Sequence, residues 1–453
     1  MRVQFDRGTL VISGIETGFL DGAVWDPELR AHRLPAARLS ELRVRLSDNG
    51  VRISDISDNI RPIPPPRSLP ELRWYQRAAL DAWHATRRGV IALPTGSGKT
   101  IVAIGAIAML GVASLIVVPT RILVDQWARV LGEVFAGPIG RLGDGDRQIE
   151  RITVATYASA LAWAPQIGDQ FGLVVVDEAH HVGGWLPADM FEMLVADARL
   201  GLTATPDRPS ESRSDGWYET AIGPVVYALG VADLVGTALA DYELETVPID
   251  LSVTERAAYR TSRGHFNEAY RRFKRLNRNG GWSEFVQQAV GTPEGRAALA
   301  AWRASRALLS YPDAKRTAVH EILAKHSGER TLVFTADNAT AYAIARDLLV
   351  PPITCDIRRA ERAERLRQFR AGTAPVLVSA QVLDEGFDVP EADVAIIVGG
   401  SSSKRRYVQR IGRVLRPRAG KCARIYELTT QEAVEIRQVS RRREAIEEAQ
   451  VLS

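Results

Sequence analysis

The chain has 453 residues, 46% hydrophobic and 25% charged; it is too long for one ordinary core, and its length points to about three domains. No apolar run is long enough to span a bilayer, and the N-terminus, with Arg2, Asp6 and Arg7 around a short alternating segment, lacks the apolar stretch of a secretory signal, so an intracellular, nucleoid-associated protein without a membrane is expected. Cys355 and Cys422 stand far apart without ligand-spaced partners, which argues against a disulfide framework and a zinc site, and the net charge of +4 matters only where it clusters.

Residues 1–60 alternate apolar and polar positions in short bursts (Val3-Gln4-Phe5, Thr9-Leu10-Val11-Ile12, Val51-Arg52-Ile53), and Ala36 to Leu46 sets Leu39, Leu42 and Leu46 on one helical face. This predicts a small α+β domain whose residues carry no clustered His, Cys or carboxylate. Residues 61–71 follow as a proline-rich linker, and a domain boundary is placed there.

Leu72-Arg73-Trp74-Tyr75-Gln76 opens a helix with Ala79, Leu80 and Trp83 facing inward and Gly89 as its stop. Gln76 alone would be an ordinary surface glutamine; one helix ahead of a phosphate loop, it can contact a nucleobase. That loop is Pro94-Thr95-Gly96-Ser97-Gly98-Lys99-Thr100, fed by the β-branched run at Val90-Ile91 and followed by an apolar helix from Ile101 to Leu110. Gly96 and Gly98 let the backbone curl around an anion, Lys99 adds positive charge, and the Thr100 hydroxyl can ligate Mg²⁺. Leu93 stands where the full motif has its first glycine.

Strand and helix patterns then alternate: a strand over Ser114 to Val118, a helix over Ile122 to Phe135 and a strand over Ile152 to Ala155. The run Leu173-Val174-Val175-Val176 predicts a strand buried on both faces of a parallel sheet, with Asp177 and Glu178 at its C-terminal end, where open α/β sheets bind ligands. Asp177 can hold Mg²⁺ through its water shell, and Glu178 can orient and deprotonate the attacking water. A solvated turn is the plain alternative for such a pair, and the phosphate loop upstream argues against it. Leu200 to Thr205 is a further strand running into a loop of small residues.

From Thr254 to Arg316 the pattern is helical only, with about 13 basic against about 5 acidic residues. Phe266, Tyr270 and Phe273 recur at helical spacing and read as core, while Arg271, Lys274, Arg275 and Arg278 form a basic face suited to a phosphate backbone or simply to solvent. Residues 314–430 repeat the α/β rhythm without a phosphate loop, with strands expected near Arg330 to Phe334, Ile353-Thr354, Pro375 to Val378, Val394 to Val398 and Ala423 to Tyr426. Arg413 and Arg416 lie three apart on one predicted helix; two α/β lobes, one with the phosphate loop and the other with paired arginines, predict a nucleotide between them and an arginine finger in cis. Residues 431–453 are expected to form a charged helix.

In its motifs and their order the chain resembles a superfamily 2 helicase of the XPB branch, over roughly residues 72 to 430. The phrases Gln381-Val382-Leu383-Asp384-Glu385-Gly386 and Arg410-Ile411-Gly412-Arg413-Val414-Leu415-Arg416-Pro417 carry the closer likeness. The resemblance implies an α/β fold of two RecA-like parallel-sheet lobes, a small damage-recognition-like N-terminal domain (1–60) and a helical thumb-like insertion (254–313), with lobes at 72–240 and 314–430. It implies adenine recognition by Arg73 and Gln76, strand contacts by Thr120, Arg121 and Thr156, nucleotide contacts from Gly386 and Asp388, and catalytic roles for Gln409, Arg413 and Arg416 beside Lys99, Asp177 and Glu178. ATP and Mg²⁺ are the expected cofactors, and forked, bubble or damaged DNA the expected partner of a monomeric ATP-dependent 3′ to 5′ helicase or double-strand translocase in repair. An ATP-gated accessory subunit that recruits a nuclease, and an RNA helicase, are the alternatives. Three departures stand out: Ala179 where the branch has valine, Arg213-Ser214-Asp215 in place of an Arg-Glu-Asp triplet, and a thumb that matches in length and charge only.

Overall fold

A computed structural model describes residues 2–14, 21–48, 59–204, 217–237, 240–380, 392–399 and 422–431. The chain forms two compact units, the second beginning at Val235.

The first unit opens with an antiparallel sheet of β1 (Arg2–Asp6), β2 (Thr9–Ser13), β3 (Val24–Asp26) and β4 (Ala31–Pro35), in the order β1-β2-β4-β3. Helix α1 (Leu39–Asp48) lays Leu39, Leu42 and Leu46 onto Val3, Leu10, Ile12 and Leu34, so the helical stripe legible in the sequence is the buried face. The β1–β2 turn abuts the large sheet domain so closely that a Cβ on Gly8 would lie 2.5 Å from Met193 Cγ. The proline-rich segment is no free spacer. Its non-proline residues pair along that domain, with Ile63 N donating to Gly111 O at 2.9 Å, Arg67 N to Val134 O at 2.8 Å, and Ala113 N to Arg61 O at 2.8 Å.

The large sheet alternates with helices: α2 (Trp74–Thr86), β5 (Arg88–Ala92), α3 (Lys99–Leu110), β6 (Ser114–Val118), α4 (Arg121–Val134), β7 (Gly140–Gly143), β8 (Asp146–Gln148), β9 (Ile152–Thr156), α5 (Tyr157–Ile167), β10 (Leu173–Asp177), α6 (Asp189–Glu192), β11 (Ala198–Thr203), α7 (Trp217–Ala221), β12 (Val225–Ala228) and α8 (Val231–Leu234). Its order is β12-β5-β11-β10-β6-β9-β7-β8, parallel except for the β7–β8 hairpin. Helix α2 stops two residues earlier than predicted: Arg87, at φ 56°, caps it by donating its N–H to Trp83 O, and Gly89 already belongs to β5. Glycine is required there for another reason, since a Cβ would lie 2.5 Å from Val226 Cγ1 and 2.9 Å from Pro224 O.

In the second unit β13 (Asp241–Ile249) is followed by α9 (Val253–Leu276), α10 (Trp282–Val290), α11 (Pro293–Ser310) and α12 (Asp313–Lys325). Then come β14 (Thr331–Phe334), α13 (Asn338–Leu348), β15 (Pro352–Ile353), α14 (Arg359–Ala371), β16 (Val376–Ser379), β17 (Val394–Ile397) and β18 (Cys422–Thr430). The parallel sheet runs β13-β18-β17-β14-β16-β15. Strand β13, which the sequence pattern did not reveal, pairs along its whole length with β18, from Asp241 opposite Cys422 to Ile249 opposite Thr430. The helical segment α9–α11 is therefore an insertion within the second sheet's own chain path. Phe266 and Phe273 bury against Phe285, Ala289, Ala298 and Leu299, with Tyr270 packed beside them, so the aromatic stripe is core. The architecture is α/β, with two parallel-sheet lobes, a small antiparallel domain and a helical segment.

Candidate functional site

Three adjacent parallel strands build the site. β11 lies between β5 and β10, with Thr203 opposite Ala92 and Leu202 opposite Asp177, so the loop after β5, the end of β11 and the carboxylates after β10 share one C-terminal edge. Leu93 N donates to Thr203 O at 3.0 Å and fixes where the phosphate loop leaves the sheet.

The loop is held from behind. Tyr75 Oη donates to Ser97 O at 2.6 Å and Gln76 Nε2 to the same oxygen at 2.8 Å, while Ser97 Oγ donates to Pro94 O at 2.7 Å. Gly96 and Gly98 adopt φ of 88° and 83°, which glycine alone enters without cost. Gly98 is doubly constrained, because a Cβ would meet Gln76 Nε2 at 2.5 Å. Beyond it Lys99 and Thr100 begin a helix of 12 residues, whose first-turn N–H groups and positive dipole end favour an anion. Lys99 Nζ donates to Leu93 O at 3.0 Å and Pro94 O at 3.4 Å. Pro94 is buried and Thr95 half-buried beside it. The buried Gln76 also accepts from Arg73 N at 2.9 Å, satisfying the backbone donor at the N-cap of α2.

Asp177 sits at the end of β10. Trp127 Nε1 donates to its Oδ2 at 2.9 Å and Glu178 N to its Oδ1 at 3.0 Å. Burial pushes this carboxyl above the ordinary range, against the opposing influence of the Trp127 N–H, the Lys99 ammonium and the Glu178 N–H. Glu178 stands at φ 52°, a left-handed conformation that costs a non-glycine residue about 1 to 2 kcal/mol. Tyr157 holds it there by donating its hydroxyl to the carbonyls of both Asp177 and Glu178, the latter at 3.1 Å. His180 Nδ1 lies 3.1 Å from Thr203 Oγ1 and 3.5 Å from Glu178 Oε2, tying the two strand ends together. Trp127, Tyr75 and Tyr157 are the positioning groups that sequence reasoning left without a role. Each binds a residue far away in the chain, and no spacing rule signals that.

A divalent cation fits this donor set. Thr100 supplies a half-buried hydroxyl at the positive end of α3, which packs against β10, and Asp177 supplies a carboxylate whose burial makes its own charge costly until a cation shares it.

The candidate nucleic-acid residues fall into two groups. Thr120 and Thr156 follow or end the paired strands β6 and β9, where Val118 lies opposite Thr156. Thr156 caps α5 by accepting from Ser159 N at 3.2 Å. The Thr120 hydroxyl is buried with no hydrogen-bond partner among the described residues. Arg121 is drawn to the β7–β8 hairpin, donating to Gly143 O at 2.7 Å and to Asp146 Oδ2 at 2.8 Å, with Asp144 Oδ2 at 3.1 Å. Its guanidinium braces the hairpin beside the expected strand path. In the second unit Arg271, Lys274, Arg275 and Arg278 are all exposed at the end of α9 and just beyond it. Lys274 spends its ammonium on Gly280 O at 2.9 Å and Arg278 O at 3.4 Å, closing the helix terminus. Gly386, Asp388, Gln409, Arg413, Arg416 and the triplet Arg213-Ser214-Asp215 lie outside the described residues.

Residues 3–56 match the Xeroderma pigmentosum group B helicase damage recognition domain, residues 69–208 the type III restriction enzyme res subunit, and residues 314–418 the helicase conserved C-terminal domain. The chain is 34% identical over 431 residues to the DNA 3′-5′ translocase XPB2 of Sulfurisphaera tokodaii, covering 95% of this chain and 98% of that one. It is 30% identical over 395 residues to the DNA 3′-5′ helicase XPB of Mycobacterium tuberculosis, covering 83% of this chain and 64% of that one. The crystal structure of the Pyrococcus furiosus Hef helicase domain shares the fold, with a TM-score of 0.56 at 19% identity over 82% of this chain and 98% of that chain. Among the described residues no helix is long and apolar enough to cross a membrane.

Proposed function

The chain belongs to the XPB family of superfamily 2 helicases, and on that premise we propose that it is an ATP-dependent 3′ to 5′ DNA helicase or double-strand translocase that works in DNA repair. The observation that carries the reading is the shared edge of β5, β11 and β10, which sets a phosphate-binding loop beside a half-buried aspartate and a conformationally constrained glutamate.

In this reading ATP lies with its phosphates on the Pro94 to Thr100 loop and its adenine against Arg73 and Gln76. Lys99 exchanges the carbonyls of Leu93 and Pro94 for the phosphates, a short swing for a flexible ammonium. Thr100 and Asp177 would hold Mg²⁺, which neutralises phosphate charge and polarises the bond to be broken. Glu178 orients the attacking water and takes its proton, and its fixed backbone limits the directions its carboxylate can point. Gly386, Asp388, Gln409, Arg413 and Arg416 complete the nucleotide contacts from the second lobe, the two arginines meeting charge that develops on the γ-phosphoryl group. The contact between His180 and Thr203 joins the hydrolytic carboxylates to the neighbouring strand end, a route by which hydrolysis can be felt elsewhere in the lobe.

DNA is assigned to Thr120, Thr156 and the basic face at Arg271, Arg275 and Arg278, with the domain at 1–60 addressing forked, bubble or damaged duplex. The protein acts as a monomer and hands the opened DNA to a nuclease partner. The test is ATP hydrolysis measured alone, with duplex or forked DNA, and with RNA of the same length. DNA should raise turnover well above RNA, and Glu178→Gln should abolish it under every condition; stimulation by RNA alone would replace this reading with an RNA helicase.

A further inference from the structure

His181 and Trp185 lie on the loop that follows the carboxylates of β10. Their rings are stacked, with centroids 4.5 Å apart and planes 2° from parallel. Trp185 is nevertheless 65% exposed, so one face of the indole rests on the imidazole and the other is left to solvent. A single exposed apolar side chain is ordinary on a protein surface. A fixed one is less so, and this indole is fixed. Gly183 N donates to Leu186 O at 2.9 Å, and Gly184 N and Leu186 N both donate to His181 O at 3.1 Å. Gly183 turns at φ 84°, where glycine goes without cost, and Val182 and Leu186 anchor the loop in the core of the lobe. His181 is held in turn, its Nε2 lying 3.1 Å from His180 Nε2 and its ring meeting that of Tyr157 edge to face, 6.1 Å between centroids.

The surroundings point to one kind of ligand. Among the described residues from Leu110 to Ser252, Trp185 is the only exposed large apolar side chain. A stable protein interface needs on the order of 1,000 Å² of contact, and one ring beside Gly183 and Gly184 does not supply it. A single ring with one free face fits a single flat ligand. A nucleobase is such a ligand, and stacking on an aromatic side chain serves every base because each has a π face. The ring's prior stacking on His181 also leaves it little freedom to lose when a base arrives. The location agrees: Tyr157, which touches His181, directly follows Thr156, one of the threonines assigned to DNA.

We propose that Trp185 is a stacking platform for one unpaired base of the DNA strand that passes Thr156. The inference rests on the function proposed above. Its test uses the full chain with an oligothymidine strand and an abasic strand of equal length, with affinity read by anisotropy. Trp185→Ala should bind oligothymidine about tenfold more weakly than wild type, a loss in the range of one stacked base, while the two proteins bind the abasic strand alike. Trp185→Phe should recover most of the affinity. Intrinsic fluorescence reads the ring itself: oligothymidine should quench wild type more than Trp185→Phe, and the abasic strand should quench the two equally. Wild-type affinity for oligothymidine in Trp185→Ala, or an equal loss on both strands in the folded variant, overturns the platform and leaves the proposed function standing if DNA still stimulates ATP hydrolysis. A wild type that neither strand binds and no DNA stimulates overturns that function itself. Should Trp185→Ala fail to fold, the quenching difference between wild type and Trp185→Phe decides: its presence with oligothymidine supports the platform, and its absence refutes it. Extra quenching of wild type by ATP in place of DNA gives the ring to adenine and overturns the assignment to DNA.

Discussion

Trp127 Nε1 lies 2.9 Å from Asp177 Oδ2, so an indole from the middle of α4 steadies the carboxylate at the end of β10. Burial favours the protonated carboxyl, and the indole N–H counters it by stabilising the charged form that a cation needs. Trp127→Phe keeps most of the apolar packing and deletes the bond. A hydrogen bond to a charged group contributes about 1.5 to 3 kcal/mol, so ATP turnover should drop by roughly ten- to a hundredfold, and more Mg²⁺ should be needed for half-maximal rate. Turnover like wild type across a Mg²⁺ titration would remove Trp127 from the site.

Lys99 and Glu178 should separate binding from chemistry. Lys99→Ala removes a charge that faces phosphate, so both ATP affinity and hydrolysis are lost. Glu178→Gln removes the base but keeps the shape and the backbone bonds from Tyr157, so hydrolysis is lost while affinity stays near wild type. Isothermal titration with a non-hydrolysable ATP analogue checks this, and equal affinities in the two variants would contradict the division of roles.

The parts of the site that were legible in the sequence are those in which the chemistry fixes neighbouring residues. Gly96 to Thr100 must curl, bind and ligate within one turn, and Asp177-Glu178 must end a buried strand, so each leaves a contiguous signature. Trp127 leaves none. It reads as one more apolar residue on an amphipathic helix, because the carboxylate that employs its N–H is 50 positions away. The resemblance implies a strand contact for Arg121; its ion pairs with Asp144 and Asp146 were not legible, because they come from a hairpin whose strands are too short to show in the pattern. Strand β13 was missed because its neighbour β18 lies at the far end of the second lobe, so its place in that sheet is a tertiary fact. Gly89 reads as a helix stop on general preference, and close packing against Val226 is what selects it.

The basic face of the insertion divides by what each cation already does. Arg271, Arg275 and Arg278 are exposed, and replacing all three with glutamine should lower the salt slope of DNA binding by up to about three units. Lys274 instead closes the end of α9 through Gly280 O, so Lys274→Ala should lower the melting temperature and change the slope less than any one of the arginines does. Filter binding across a salt series and a thermal melt measure both. A slope left unchanged by the triple variant would mark this face as merely solvated.

Tyr311, at the junction of α11 and α12, has its hydroxyl pKa pushed up from the ordinary tyrosine value of 10.0 to about 12, first by burial and then by the nearby Asp347 carboxylate, with Arg316 pulling the other way. Because the folded protein holds this proton more tightly than the unfolded chain, the tyrosine's contribution to stability is complete below pH 10 and is lost as pH rises from about 10 to about 12. Tyr311→Phe should flatten that part of the alkaline unfolding curve and leave the curve below pH 9 or so unchanged in shape. An identical alkaline limb in the variant would show that Tyr311 does not titrate with unfolding.

Directed movement along DNA is the central claim, and release of streptavidin from a biotinylated strand end measures it most directly. With ATP, the protein should displace streptavidin from the 5′ end of a partly duplex DNA faster than from the 3′ end, and Glu178→Gln should displace it from neither. Faster release from the 3′ end, or DNA-stimulated hydrolysis with release from neither end, would contradict the account.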